Sequence, residues 1–281
     1  MKKILIPTDF SKTSLNAIKY AMYLMKYEKT KFIILHAYAD ELYAIAKDLS
    51  REDFEELKKI YQKKVDKSLK KEIAEVLGIS LNTKHSFTSI SRFGGLVDET
   101  NEIVDKENID LVVMGTKGKM NKSNITFGSK TLQVIKYVKC PVLSVPFGYY
   151  KKSLKKILFP SDYMLPFKYR ELALVSNLAL SFGATITFLY ISDFKESLHR
   201  QLDNKSFLDQ FFENNKCTFL QTPENGITNS INKIIKEDAI DLLVMVNQRH
   251  SYLEHILYNS TIEKIGLEIQ IPFLVLQNLH R

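Results

Sequence analysis

The chain has no tryptophan, two cysteines, seven prolines and ten glycines in 281 residues. Each scarcity excludes something. Cys140 and Cys217 cannot build a disulfide framework and lack the close spacing of a metal site, so both read as reduced, buried thiols. No run of 18 apolar residues occurs, which leaves no candidate transmembrane helix. The basic start, Met1 to Pro7, lacks the apolar core of a signal peptide because Asp9 interrupts it, and a cytoplasmic location is expected. The net charge of +8 sits in Lys-rich helix faces such as Lys58-Lys59 and Lys63-Lys64 and in the pairs Lys151-Lys152 and Lys155-Lys156. None of these is interleaved with aromatics as a base-stacking platform would be, so nucleic acid is not an expected partner.

What is present is a duplication. Lys2-Lys-Ile-Leu-Ile-Pro-Thr-Asp-Phe10 returns as Lys155-Lys-Ile-Leu-Phe-Pro-Ser-Asp-Tyr163. Ile109-Asp-Leu-Val-Val-Met114 returns as Ile240-Asp-Leu-Leu-Val-Met245, and Cys140-Pro-Val-Leu-Ser-Val145 as Ile271-Pro-Phe-Leu-Val-Leu276. The offset falls from 153 to 131, so the second copy has lost about 22 residues between its second and third strands. Domains are expected at 1–149 and 156–281, with a polar linker at 150–155.

Each copy alternates strand and helix. In the first, Ile4–Ile6 reads as a buried strand, and Ser11 as the N-cap of a helix burying Leu15, Ile18, Ala21, Met22 and Met25. Phe32–Leu35 is a second strand. Ser50-x-x-Asp53 resembles a capping box opening a long helix that carries Phe54, Leu57, Ile60, Tyr61, Val65, Leu69, Ile73, Val76 and Leu77, with Gly78 as its C-cap. A strand near Thr83–Phe87, a helix over Val97–Glu107, the strand Leu111–Met114, a helix from Ser129 to about Lys139 and a strand Val142–Val145 complete the unit. Such alternation implies a parallel sheet covered on both faces, with ligands at the carboxyl ends of its strands. Asp9 and Gly115 both fall there.

Gly115-x2-Gly118-x9-Gly128-Ser129 directly follows the strand Leu111–Met114. Glycine lets backbone approach a phosphate, and a helix opening at Ser129 offers unpaired N–H groups and a positive dipole end. In a glycine-poor chain the pattern is not incidental. Aligned at offset 131, the second copy has Val246, Arg249 and Asn259 at the glycine positions and keeps only Ser260 at that of Ser129. One competent site, in the first copy, is expected. Asp162 persists, but without the glycines it reads as a turn residue.

Taken together, the strand running into Pro7-Thr8-Asp9-Phe10-Ser11, the glycine pattern and the Cys140-Pro-Val-Leu ending make the chain resemble a tandem universal stress protein. The resemblance implies two open, five-stranded parallel α/β sandwiches, Rossmann-like and adenine nucleotide α-hydrolase-like. It implies ATP or another adenine nucleotide as ligand, with or without Mg. Asp9 would lie on the adenosine side, with Pro7 and Thr8 shaping the turn. Ala37 would meet adenine through its backbone and small side chain. Met114 and Gly115 would lead into the phosphate loop, where Gly118 lets backbone approach. Gly128, Ser129, Lys130 and Thr131 would form the helix N-terminus, with amides and hydroxyls on phosphate oxygens. Lys117, Lys119 and Lys122, in or beside the loop, are candidates to neutralise polyphosphate. The family also implies pairing through last strands, here Val142–Val145 with Phe273–Leu276 as an intramolecular pseudo-dimer, with homodimers of whole chains and an unidentified protein partner as further expectations.

Catalysis finds less support. Gly118-Lys119 is followed by Met120, so the loop lacks the Gly-Lys-Ser/Thr end of a Walker A motif. No Ser-His-Asp or Cys-His set stands out. His36 reads as a structural histidine near the site, and His250 and His255 are wrongly spaced for two metal ligands on one helix face. The favoured reading is a nucleotide-binding stress-response or regulatory protein. The alternatives are a slow ATP-hydrolysing enzyme and a nucleotide-independent interaction module.

Overall fold

The computed structural model describes residues 1–79, 81–116, 127–149, 153–164, 166–193, 198–223, 226–248, 251–258 and 270–278. The chain divides into two compact units, one running to Gly148 and one from Tyr149 onward. The first contains β1 (Lys2–Pro7), α1 (Lys12–Leu24), β2 (Thr30–Ala37), α2 (Ala39–Ile45), α3 (Arg51–Ile79), β3 (His85–Arg92), α4 (Leu96–Glu107), β4 (Leu111–Gly115), α5 (Ser129–Tyr137) and β5 (Val142–Val145). Its strands are parallel, in the order β3-β2-β1-β4-β5. The second contains β6 (Lys156–Pro160), α6 (Tyr169–Phe182), β7 (Thr185–Ile191), α7 (His199–Phe211), β8 (Lys216–Thr222), α8 (Ile227–Glu237), β9 (Leu242–Asn247), α9 (Tyr252–Tyr258) and β10 (Phe273–Gln277). Its order is β8-β7-β6-β9-β10, again parallel. Each unit is thus a five-stranded α/β sandwich. In each, strand order reverses beside the first strand, which opens a crevice at the carboxyl edge.

The repeated sequence blocks have a physical basis. Ile4, Leu5 and Ile6, like Ile157, Leu158 and Phe159, are fully buried because a central parallel strand is covered on both faces. The aspartate of the Ile-Asp-Leu block ties the start of one central strand to its neighbour. Asp110 Oδ2 accepts the Lys3 N–H at 2.9 Å, and Asp241 Oδ2 accepts those of Lys155 at 2.7 Å and Lys156 at 3.0 Å. In the first unit α1 packs with α3, and α4 packs with α5.

The lost residues are where the offset placed them. The crossover helix between the second and third strands is α3, 29 residues, in the first unit and α7, 13 residues, in the second. Several local expectations are corrected. Gly78 is not a C-cap: it lies inside the last turn of α3, which continues to Ile79. The buried stripe of α3 is narrower than its apolar residues suggest. Val65, Leu69 and Val76 are buried with Glu72 among them, while Ile60 is 57% exposed. Ser50 Oγ accepts the Asp53 N–H, but the Asp53 carboxylate takes the Ser50 hydroxyl in place of its backbone N–H, so only half a capping box forms. The third strand starts at His85, two residues later than expected, and α2 had no counterpart in the sequence reading. Both cysteines are free thiols, Cys140 buried and Cys217 half-buried.

Candidate functional site

The chain leaves β1 through two consecutive side-chain-closed turns. Thr8 Oγ1 accepts the Phe10 N–H at 3.0 Å and Asp9 Oδ1 accepts the Ser11 N–H at 3.1 Å. Phe10 takes a φ of 59°, in the left-handed region that L-residues avoid, and its ring packs on His36 at a centroid distance of 4.6 Å. Ser11 then caps α1, its hydroxyl accepting the Ser14 N–H at 3.1 Å.

These turns form one wall of a cleft of about 560 Å³, a figure that includes the solvent at its mouth. Pro7, Thr8 and Asp9 line it from the end of β1, and Ala37 from the end of β2. Met114 and Gly115 line it from the end of β4, and Lys130 and Thr131 from the first turn of α5. Gly128 and Ser129 stand beside them, at the N-cap and first residue of α5. Gly118, Lys117, Lys119 and Lys122 lie outside the described residues, as do Arg249, His250, Asn259 and Ser260 and the side chain of His255.

Two residues do something other than what the pattern suggests. A Cβ on Gly115 would collide with Thr13 Cγ2 and sit 3.2 Å from the Thr13 carbonyl oxygen, so the packing of α1 against β4 by itself calls for a glycine here. Thr131 Oγ1 donates to the Gly115 carbonyl at 3.0 Å, which staples α5 to the end of β4. Its proton is thereby engaged, and the amides of the first turn remain the main anion donors of α5. The Gly128 N–H donates to the Thr116 carbonyl at 2.7 Å, closing the base of the glycine loop.

Four lining residues escaped the sequence reading of the site: Ser14, His36 as a wall residue, Glu41 and Leu96. Glu41 sits on α2, too short a helix to show a periodic apolar pattern. His36, 2% exposed, has Nδ1 2.7 Å from the Thr8 carbonyl oxygen. A carbonyl only accepts, so Nδ1 carries a proton. Its Nε2 lies 3.3 Å from Glu41 Oε2, which also accepts the Tyr61 hydroxyl at 2.7 Å. The His36 ring beside it, and secondarily the Tyr61 hydroxyl, hold the Glu41 carboxyl down at about 2 against the opposing pull of burial. At the rim Lys130 Nζ pairs with Asp40 Oδ2 at 3.2 Å, both more than half exposed.

Behind the cleft, Glu72 of α3 is 7% exposed, and its Oε1 lies 3.0 Å from Thr8 Oγ1. Burial pushes its carboxyl up to about 7, and the nearby Asp9 charge pushes in the same direction. Thr8 Oγ1 also lies 3.0 Å from Ser14 Oγ, which in turn donates to the Ser11 carbonyl at 2.9 Å. One hydroxyl proton serves one acceptor at a time. A protonated Glu72 donates to Thr8 and frees the Thr8 proton for Ser14, so that Glu72, Thr8, Ser14 and the Ser11 carbonyl form one directed chain.

The second unit has a smaller cleft at the equivalent edge, about 340 Å³, lined by Pro160, Ser161 and Asp162 from β6, Val246 from β9, and Ser251 and Tyr252 beyond. Its turn copies the first: Ser161 Oγ accepts the Tyr163 N–H at 3.0 Å, Asp162 Oδ1 accepts the Met164 N–H at 3.0 Å, and Tyr163 has φ 56°. Among the described residues of either unit, no group of three or more His, Cys, Asp or Glu could hold a metal ion, and no helix is long and apolar enough to cross a membrane.

Comparison with known proteins agrees with this architecture. The model of the universal stress protein family matches residues 1–146. Universal stress protein MJ0531 of Methanocaldococcus jannaschii is 34% identical over 145 residues, spanning 51% of this chain and 81% of that protein. Universal stress protein MJ0577 of the same organism is 34% identical over 160 residues, spanning 51% of this chain and 94% of that protein. The crystal structure of a universal stress protein from Archaeoglobus fulgidus covers 98% of this chain and 96% of its own, with a TM-score of 0.67 and 17% identity, a likeness of fold. With more than half of its length matched by the family model, the chain belongs to the universal stress protein family.

Proposed function

We propose that the first repeat binds an adenine nucleotide, ATP foremost, and that the protein is a cytoplasmic nucleotide-responsive stress or regulatory protein rather than an efficient enzyme. The observation that carries this reading is convergence. Residues far apart in sequence (Pro7 to Asp9, Ala37, Met114, Gly115, Lys130 and Thr131) line a single cleft at the switch point of the sheet. The base would lie against Ala37, the ribose between Asp9 and Gly115, and the phosphates at the N-terminus of α5, with Gly118, Gly128 and Ser129 nearby. Lys130 would exchange its exposed Asp40 partner for a phosphate oxygen. The described residues group no carboxylates into a metal site, so Mg would arrive with the phosphates and be held mainly by them. On this reading the second repeat is a degenerate, built-in partner, giving in one chain the pair that single-repeat chains would form by dimerising.

Calorimetric titration with ATP, on protein freed of carried-over ligand, is expected to give one site per chain. Absence of heat at millimolar ATP overturns the reading. Mass spectrometry of the ligand that co-purifies identifies which adenine nucleotide the site prefers.

A further inference from the structure

The second cleft is degenerate in its glycines, yet it also differs at the other end, where the base would lie. Leu35 is the register partner of Pro7, and Leu189 is the register partner of Pro160. Ala37 and Ile191 therefore occupy the same place, two residues farther along β2 and β7. In a parallel ladder the N–H and C=O of one residue point to the same side. The Thr8 and Ser161 N–H groups bond the Leu35 and Leu189 carbonyls, so the peptide groups of Ala37 and Ile191 point past the ends of β1 and β6, into the crevice. Ala37 lines the first cleft. In the second cleft the matching peptide groups are engaged. The Tyr252 hydroxyl donates to the Ile191 carbonyl at 3.0 Å and accepts the Ile191 N–H at 3.2 Å.

A phenol hydroxyl offers one donor and one acceptor on the edge of a flat ring. An adenine offers the same pair, an amino hydrogen beside a ring nitrogen, on the edge of a larger one. We propose that Tyr252 is a built-in occupant of the base position of the second cleft, and that removing its ring opens a site for a purine nucleoside. The proposal rests on the reading that the first cleft takes its base at Ala37. Val246 and the absent glycines bear on phosphate, so the ligand class that fits the vacated cleft is the nucleoside without its phosphates. The second cleft is closed in two ways, by the Val246 side chain where backbone would meet phosphate and by a tyrosine where backbone would meet a base.

The test uses the full chain and adenosine, read at two backbone amides by NMR. In the ligand-free wild type the Ile191 amide is expected to be protected from hydrogen exchange, and in Tyr252→Phe to exchange at least 10-fold faster. In Tyr252→Ala, adenosine is expected to shift the Ile191 amide resonance and to raise the calorimetric stoichiometry from one to two per chain. An Ile191 amide equally protected in Tyr252→Phe overturns the proposal. So does a folded Tyr252→Ala whose Ile191 resonance ignores millimolar adenosine. Should Tyr252→Ala fail to fold, the exchange rate in Tyr252→Phe decides alone. The Ala37 amide of the wild type reports separately: if adenosine leaves it unmoved, the reading of the first cleft fails, whatever Ile191 does.

Discussion

The first strand of each repeat ends in the same turn, and the two turns lead to different places. Thr8-Asp9-Phe10 and Ser161-Asp162-Tyr163 make the same pair of side-chain-to-backbone hydrogen bonds and force an aromatic residue into the same left-handed conformation. After Phe10, α1 begins at Lys12. After Tyr163, α6 does not begin until Tyr169. The early start brings Thr13 against the end of β4, where only glycine fits. The second repeat carries Val246 there and its helix starts four residues later relative to the turn. The aspartate and the strained aromatic thus belong to the turn itself and mark neither repeat as the binding one. Among the described residues, what separates the repeats is how closely the helix after the turn approaches the end of the strand beside it.

The most disruptive test transfers the second repeat's residue into the first. Gly115→Val is expected to lower nucleotide affinity at least 100-fold and to destabilise the chain by about 3 kcal/mol, since the new side chain must displace Thr13. The reciprocal Val246→Gly should cost less, about 2 kcal/mol, from a freer backbone and the loss of a half-buried side chain with no clash to relieve. Denaturant titration of both variants checks the asymmetry, and equal costs would break the packing account.

Next in size is a pH effect. Repeat 1 places the carboxyl of Glu72 behind its turn. Repeat 2 uses the neutral amide of Gln201, whose Nε2 donates to the Asp162 carbonyl at 2.8 Å. Folded Glu72 holds its proton up to about 7, against an ordinary 4.5. The native state then binds more protons than the unfolded chain between those values, so the stability contribution falls as pH rises across that window and is level above it. The loss is roughly 2–3 kcal/mol between pH 5 and pH 8. Glu72→Gln should remove this slope, and unfolding free energies measured at both pH values test it.

A smaller contrast lies in the caps. Ser11→Ala should cost about 1 kcal/mol, because its hydroxyl satisfies a helix N–H. Lys168, the N-cap of α6, makes no side-chain cap bond, and Lys168→Ala should fall within about 0.5 kcal/mol of wild type. The smallest effect is expected at the rim. Asp40→Asn breaks an exposed ion pair and should change stability by less than about 0.5 kcal/mol. By releasing Lys130 it should favour nucleotides with more phosphates, which competition between ATP and AMP would reveal.

Much of this was legible in the sequence, for physical reasons. Central parallel strands such as Ile4–Ile6 and Leu111–Met114 are buried on both faces, so they appear as apolar runs. The duplication exposed the shared frame, and Val142–Val145 is the last strand of its unit as expected. Glu41 and Ser14 were not legible: one rides on a helix of seven residues, and the other looks like any residue in a helical first turn. Thr131 and Gly115 line the cleft, but sequence spacing cannot tell a residue that meets a ligand from one that fastens a helix to the sheet. Gly78 misled because a glycine near a helix end resembles a cap whether or not its backbone turns left-handed.

The length of α3 has a consequence for stiffness. At 1.5 Å per residue a helix of 29 residues is about 43 Å long. Strands of at most eight residues span about 26 Å. The helix runs back from the carboxyl edge toward the amino edge, so its surplus projects beyond the strand ends. It is braced there by stacking of Tyr43 on Phe54 and by Phe93, over which Lys58 Nζ sits at 4.3 Å. Tyr61, on this projecting part, reaches Glu41 in the cleft wall. In the second repeat α7, at about 20 Å, is no longer than the strands it spans. The long helix thus carries a cluster of three aromatic rings, Tyr43, Phe54 and Phe93, that stiffens the carboxyl side of the first repeat, and a helix as short as α7 has no length to spare for one.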